Sequence, residues 1–222
     1  MATHISRKAL KEDAFRDSMF WALDWAYQRR RTFIVLGSAL LAVIVAGAGY
    51  LAYDRSQRRA QSERFYHIER GPEQAGLSAE ERQARARKGF EAFAAEFPGS
   101  HLAPVAWMHV AGIAWEQGDL DGAGQAFRAV LAHGASNPAL RDLAHIGLGK
   151  LDEAQGRLDA AAAQYEAVSD APFDELKVLS LGRVAAARQQ DEEARRHFEK
   201  AARAGSGSIL AEWARQNLDY HP

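Results

Sequence analysis

The chain has 222 residues, with 28 Lys and Arg against 29 Asp and Glu, 47 % hydrophobic residues and no cysteine. A formal charge of -1 argues against a nucleic-acid binder with a uniformly basic surface. The lack of cysteine excludes disulfides, thiolate metal sites, a cysteine nucleophile and a lipidated N-terminal cysteine, while the length allows one or two domains.

Residues 1–31 are expected to form a cytoplasmic amphipathic head. A helix starting near Ser6 brings Phe15, Met19, Leu23, Ala26 and Tyr27 to helical spacing, with Arg7, Lys8, Lys11 and Asp17 elsewhere. Phe15, Phe20, Trp21, Trp25 and Tyr27 crowd the stretch before the next segment, as expected of rings at headgroup depth. Such a head serves as a simple anchor or as a docking helix.

Residues 32–53 read TFIVLGSALLAVIVAGAGYLAY, with no acid, Lys, Arg or His. At 1.5 Å per residue this run covers the roughly 30 Å hydrocarbon core, so a single transmembrane helix is expected. Its arginine-rich flanks, Arg29, Arg30 and Arg31 before and Arg55, Arg58 and Arg59 after, fit that reading better than a buried core helix. A cleaved signal peptide fits less well, because its apolar run spans only about 7 to 15 residues and follows a short basic head. The head carries seven bases against four acids, and the remainder 21 against 25. By the positive-inside rule the head is cytoplasmic and the rest lies outside, which for a bacterium is the periplasm. Ser38, Ala42, Ala46 and Gly49 share one face of the span, a membrane-helix contact surface where another helix could approach closely.

Residues 54–77 are expected to continue the span as a stalk helix and loop, broken at Gly71 and Pro72. The region 78–222 opens with a capping box, Ser78 and Glu81, followed by an apolar stripe of Phe90, Phe93 and Phe97. No run alternates as a strand does, so the fold is all-α. GDLDGAGQAF from Gly118 reappears as GRLDAAAAQY from Gly156, and QQDEEARRHF from Gln189 is a weaker third copy. Ala86, Ala123, Ala161 and Ala194 recur at helical-hairpin periods, the signature of a stacked array. Glycine at Gly118 and Gly156 suits a left-handed residue closing a helix, and Pro104, Pro138 and Pro172 suit first helical positions. Phe127, Tyr165 and Phe198 are expected to fill space between hairpins, Ile209 to Leu218 with Trp213 to cap the last one, and the fragment from Ser78 to Pro222 to fold alone.

At these residues the chain resembles the tetratricopeptide repeat family. Trp107, Gly118, Ala123 and Phe127 match one unit, Leu148, Gly149, Gly156, Ala161 and Tyr165 the next, and Leu181, Gly182, Ala194, Phe198 and Ala201 the third. Val110 and Ala111 replace the usual Leu-Gly, and Gln189 replaces the turn glycine. A span followed by such repeats looks like the single-pass periplasmic proteins related to the ancillary subunit of the Sec translocon. The resemblance implies partners among translocon or envelope subunits and exported or unfolded polypeptides. It also implies a groove lined by Met108, Trp115, Glu116, Ile146, Lys150, Glu153, Leu179 and Arg183. Trp115 would anchor a peptide there and Lys150 with Arg183 would hold a carboxylate, unless Met108, Ile146 and Leu179 are simply core.

Chemistry-bearing motifs are missing. Gly147-Leu148-Gly149-Lys150 lacks the preceding strand and following hydroxyl of a phosphate loop, and no two histidines stand at the i, i+4 spacing of a metal site. No catalytic, cofactor-binding or metal residue is assigned, and no nucleic acid is expected. The reading is an interaction module that binds polypeptide. The alternatives are a structural subunit docked through head and span, a cytosolic receptor in the reversed orientation and, last, an enzyme.

Overall fold

The computed structural model describes residues 25, 29–71, 76–134, 136–169, 171–204 and 208–220. The expected head helix lies almost wholly outside the described residues, as do Pro72 and the glycines of the GSGS turn. Among the described residues every regular element is helical. The chain divides into two units, Met1–Arg59 and Ala60–Pro222.

The apolar run belongs to one 41-residue helix, α1 (Arg30–Arg70). Its described side chains from Ile34 to Tyr53 are all exposed, with Ile34, Leu40, Val43 and Tyr50 each above 60 %. An 18-residue window reaches a mean hydropathy of 2.3, so this helix is long and apolar enough to cross a membrane. Where the run ends, Asp54 and Arg58 pair at 2.7 Å.

In the second unit the helices follow in chain order: α2 (Ala79–Glu96), α3 (Ala103–Glu116), α4 (Leu120–His133), α5 (Pro138–Ala154), α6 (Leu158–Glu166), α7 (Asp174–Ala187), α8 (Asp191–Ala204) and α9 (Ile209–Tyr220). Each packs on its chain neighbour, and first helices of successive hairpins also touch, α3 on α5 and α7 on α9. The starts of these helices are set locally. Ser78 and Glu81 form the reciprocal capping box of α2. Asp119 accepts from the Gly122 amide and Asn137 from the Leu140 amide, capping α4 and α5. Pro104 and Pro138 sit in the first turns of α3 and α5. Pro172 departs from expectation, standing in a 3₁₀ turn (Ala171–Phe173) just before α7.

Three equivalent turns close α3, α5 and α7. In each an amide reaches back five residues, Asp119 to Ala114, Arg157 to Asp152 and Gln190 to Ala185, at 2.8 to 3.0 Å. The preceding residue is left-handed in all three, with φ of 72° at Gly118, 73° at Gly156 and 62° at Gln189. Gln189 therefore holds a glycine conformation against the steric cost of its Cβ. Gln189→Gly is expected to raise stability by about 0.5–1 kcal/mol, the relieved strain exceeding the added unfolded-state entropy. An unchanged or lower urea midpoint would refute this.

Packing between paired helices rests on small residues meeting rings. Ala123, Ala161 and Ala194 are fully buried. A Cβ on Gly149 would lie 2.6 Å from the Tyr165 ring, and one on Gly182 2.6 Å from Phe198. These two rings touch a glycine of their own hairpin and also reach beyond it, Tyr165 packing with Leu181 and Val184 of the next hairpin and Phe198 sharing a cluster with Ala214 of α9, so they fill space between hairpins as the sequence suggests. Phe127 crosses in the same way, against Gly147 of the next hairpin, and Ala111 stands in its own hairpin where the other units have Gly149 and Gly182.

The core extends at both ends beyond the repeats. Phe65 of α1 is 9 % exposed, with its ring 5.2 Å from Phe90 and 5.5 Å from Phe93, and His109 stacks on Phe90 at 4.5 Å. The last turns of α1 are part of this unit, which the sequence reading begins only at Ser78. At the other end α9 caps the array through the fully buried Ala211 and Ala214, aided by Leu210 and Leu218. Trp213, expected to cap, is 53 % exposed because it lies on the far side of the helix from Ala211 and Ala214.

Candidate functional site

A cavity of about 350 Å³ opens between the first helices α3 and α5, lined by Met108, Gly112, Trp115, Glu116, Phe127, Leu143, Ile146, Gly147 and Lys150. Five of the eight residues named from the repeat resemblance therefore share one site: Met108, Trp115, Glu116, Ile146 and Lys150. They converge because α3 and α5 are successive first helices, and the residues recur along each at helical spacing. Trp115 and Leu143 stand at the rim, 37 % and 39 % exposed, while Ile146 at 5 % belongs to the floor. Gly147 cannot carry a side chain here, since a Cβ would run into the Phe127 ring that forms part of the cavity wall.

The charges at the rim differ in their commitments. Glu116 accepts from Gln83 Nε2 at 2.7 Å. Lys150 is exposed and, among the described residues, makes no ion pair. It faces an apolar cavity with its three donors unspent on protein carboxylates.

Glu153, Leu179 and Arg183 do not join this site. Leu179 is 1 % exposed and packs with Phe198 in the core of the last hairpins, the core alternative of the sequence reading. Glu153 and Arg183 take each other: Arg183 donates to Glu153 at 2.9 and 3.3 Å, and the buried Tyr165 hydroxyl donates to Glu153 Oε2 at 2.5 Å. Burial pushes the Tyr165 hydroxyl well above its ordinary pKa, and the Glu153 carboxylate adds to that. Burial disfavours the Arg183 charge, but the bonds and charge of Glu153 outweigh it and raise its pKa. Arg183 is thus already paired with a carboxylate of its own chain, whereas Lys150 is not. The trio ties α5, α6 and α7 together instead.

Gly112, Phe127, Leu143 and Gly147 were not among the groove residues expected from the sequence. Gly112 and Leu143 were legible in principle, each standing three or four residues from a named lining position on its own helix. Phe127 was legible as a ring between hairpins but not as a cavity wall, and Gly147 was not legible as the position that ring covers.

A second cavity of about 250 Å³ adjoins the first and shares Met108, Gly112 and Glu116 with it, adding Val105, His109, Ile113 and Leu140. A third, of about 230 Å³, is lined from α4, α5 and α6. Several of its polar groups are committed to one another: Arg157 to Asp152 at 2.5 Å, and His145 Nδ1 to Gln164 Oε1 at 2.8 Å.

A helical-hairpin array with an apolar cleft between first helices, and with no convergent catalytic groups among the described residues, defines a protein-interaction module. The chain belongs to the tetratricopeptide repeat-like domain family, which matches residues 24–219, a range that includes the apolar part of α1. That family is generally one of non-catalytic scaffolds. No curated protein matches the chain as a relative.

Proposed function

We propose that the protein is a membrane-anchored polypeptide-binding module, tethered by residues 32–53 and capturing segments of other proteins in the cleft between α3 and α5. The observation that carries this reading is an exposed Trp115 lining the same cavity as Lys150, which among the described residues makes no ion pair. Large aromatics at the edge of such pockets supply anchoring energy out of proportion to their number. The exposed apolar surface of α1 supports a single span, and the basic head supports a cytoplasmic N-terminus with the repeats in the periplasm. In that setting the partners are translocon or envelope-complex subunits and exported or unfolded chains, and the role is that of a scaffold or chaperone-like accessory factor. No cofactor enters.

A second reading, a structural subunit held through its membrane helix, draws on the exposed small-residue face of Ser38, Ala42, Ala46 and Gly49. One experiment separates the two. A photoreactive residue is placed at position 115 or 42 in native membranes, and crosslinked products are identified by mass spectrometry. Many exported chains captured from position 115 would support polypeptide binding. Capture of one fixed complex from position 42, with nothing from 115, would overturn it in favour of the structural subunit.

A further inference from the structure

Between residues 32 and 62 the sequence has a single acid, Asp54, against three bases, Arg55, Arg58 and Arg59. With the head cytoplasmic, these arginines lie on the translocated side of the span, where the positive-inside rule expects few, so they need a local reason. The structure divides them unequally. Arg58 Nε donates to Asp54 Oδ2 at 2.7 Å, and its charge is met within the helix. Arg55 and Arg59 are exposed and, among the described residues, make no ion pair. Four residues apart, they project from one side of α1 with roughly 5–6 Å between their Cβ atoms. On that side, at helical spacing toward the N-terminus, follow Leu51, Ala48, Ile44 and Leu41, all exposed. The small residues Ser38, Ala42, Ala46 and Gly49 occupy a different side, so a helix packed on them would leave this strip open. Tyr50 and Tyr53, both well exposed, mark headgroup depth at this end of the apolar run. At 1.5 Å per residue Arg55 and Arg59 stand about 3 and 9 Å beyond Tyr53, which puts lipid phosphates within reach of their long side chains.

We propose that this strip of α1 is a binding site for an acidic phospholipid, its phosphate held by Arg55 and Arg59 together and an acyl chain lying along Leu51, Ala48, Ile44 and Leu41; the proposal rests on the membrane-anchored reading above. Arginine suits the ligand, because a guanidinium is always charged, is weakly hydrated and forks onto two phosphate oxygens. Two of them on one face give a single phosphate more donors than it has in water-exposed lipid, and the apolar strip below them continues in the direction the lipid's chains must take. A zwitterionic lipid offers the same phosphate but carries its own cation, which the two arginines repel. Net negative charge in the headgroup is therefore what the site selects. Asp54 sets the limit of the site by neutralising Arg58, which leaves two free cations of the three.

The test uses the full chain in detergent with equal amounts of phosphatidylglycerol and phosphatidylcholine, bound lipids being counted by native mass spectrometry. A basic residue at an anionic surface contributes about fivefold, so phosphatidylglycerol should be preferred by roughly fivefold or more. Arg55→Gln with Arg59→Gln should bring the ratio close to one. Removing the neutral pair, Asp54→Asn with Arg58→Gln, should leave it within about twofold. Asp54→Asn alone releases Arg58 and should raise it. The decisive variant is Arg55→Gln with Gln57→Arg, which keeps the charge near the same depth but moves it to the opposite side of the helix. It should lose preference as Arg55→Gln does. If it keeps the wild-type ratio, the attraction is diffuse and the site is overturned; a ratio unmoved by the double arginine variant overturns it as well. Alkaline extraction of the chain from vesicles of the same two lipids tests the anchor separately. A chain released by alkali is not anchored, and both readings fall, whereas a chain that stays in the vesicles with a ratio indifferent to Arg55 and Arg59 loses the lipid site alone.

Discussion

Phe198→Ala is expected to cost about 3–5 kcal/mol, the loss typical of a phenylalanine truncated in a close-packed core. Phe198 is fully buried, and its ring lies on Gly182 so closely that a Cβ there would approach to 2.6 Å. Truncation leaves a void lined by α7, α8 and α9, helices whose own backbones are held together by that contact. For a unit of this size the thermal midpoint should fall by roughly 8–15 °C. The reciprocal change, Gly182→Ala, overpacks the same contact and should cost about 1–3 kcal/mol. The two substitutions are not expected to add. The methyl of Gly182→Ala enters part of the space that Phe198→Ala vacates, so the double variant should be more stable than the sum of the singles implies. Additive losses in urea titrations would show that ring and glycine do not act as one unit.

The second large effect concerns where the soluble unit begins. A fragment of residues 60–222 is expected to unfold cooperatively, and one of residues 78–222 to be less stable by about 3–5 kcal/mol. The shorter fragment lacks Phe65 and Ile68. Phe65 lies against both Phe90 and Phe93, which are 2 % and 0 % exposed, and Ile68 Cγ2 reaches to within 2.7 Å of where a Cβ on Gly89 would stand. Each large apolar side chain withdrawn from water contributes about 1.5–3 kcal/mol, and the phenylalanines newly uncovered lose part of theirs. The Arg64 to Glu96 ion pair, lost with them, adds little because both partners are about half exposed. Equal urea midpoints for the two fragments would mean that the end of α1 is a passive extension. Within 60–222, Phe65→Ala alone should reproduce most of the difference.

These two effects also mark how far the sequence is legible. Helix starts and stops were readable because each depends on local signals within about one turn: Ser78 with Glu81, Pro104 and Pro138 at first turns, Gly118 and Gly156 at the closing turns. The apolar run of α1 was readable because an uninterrupted sequence of such residues needs no partner to be recognised. The recurring alanines were readable because a repeat places chemically equivalent contacts at equal spacing.

What only the tertiary structure decided is which side chains meet across helices. Leu179 and Met108 occupy equivalent places in their repeats, yet one is core and the other lines a cleft, since the last hairpin is covered by α9. Glu153 and Arg183, separated by thirty residues, cancel one another's charge, and Asp142 is buried at 1 % by accepting from Ser169 across 27 positions. Gln189 adopts a glycine conformation because the turn bonds around it, and not its own preference, fix the backbone. Sequence specifies contacts that one helical turn can make, whereas contacts between helices depend on how each is rotated against the next, and that rotation is set by all the packed side chains together.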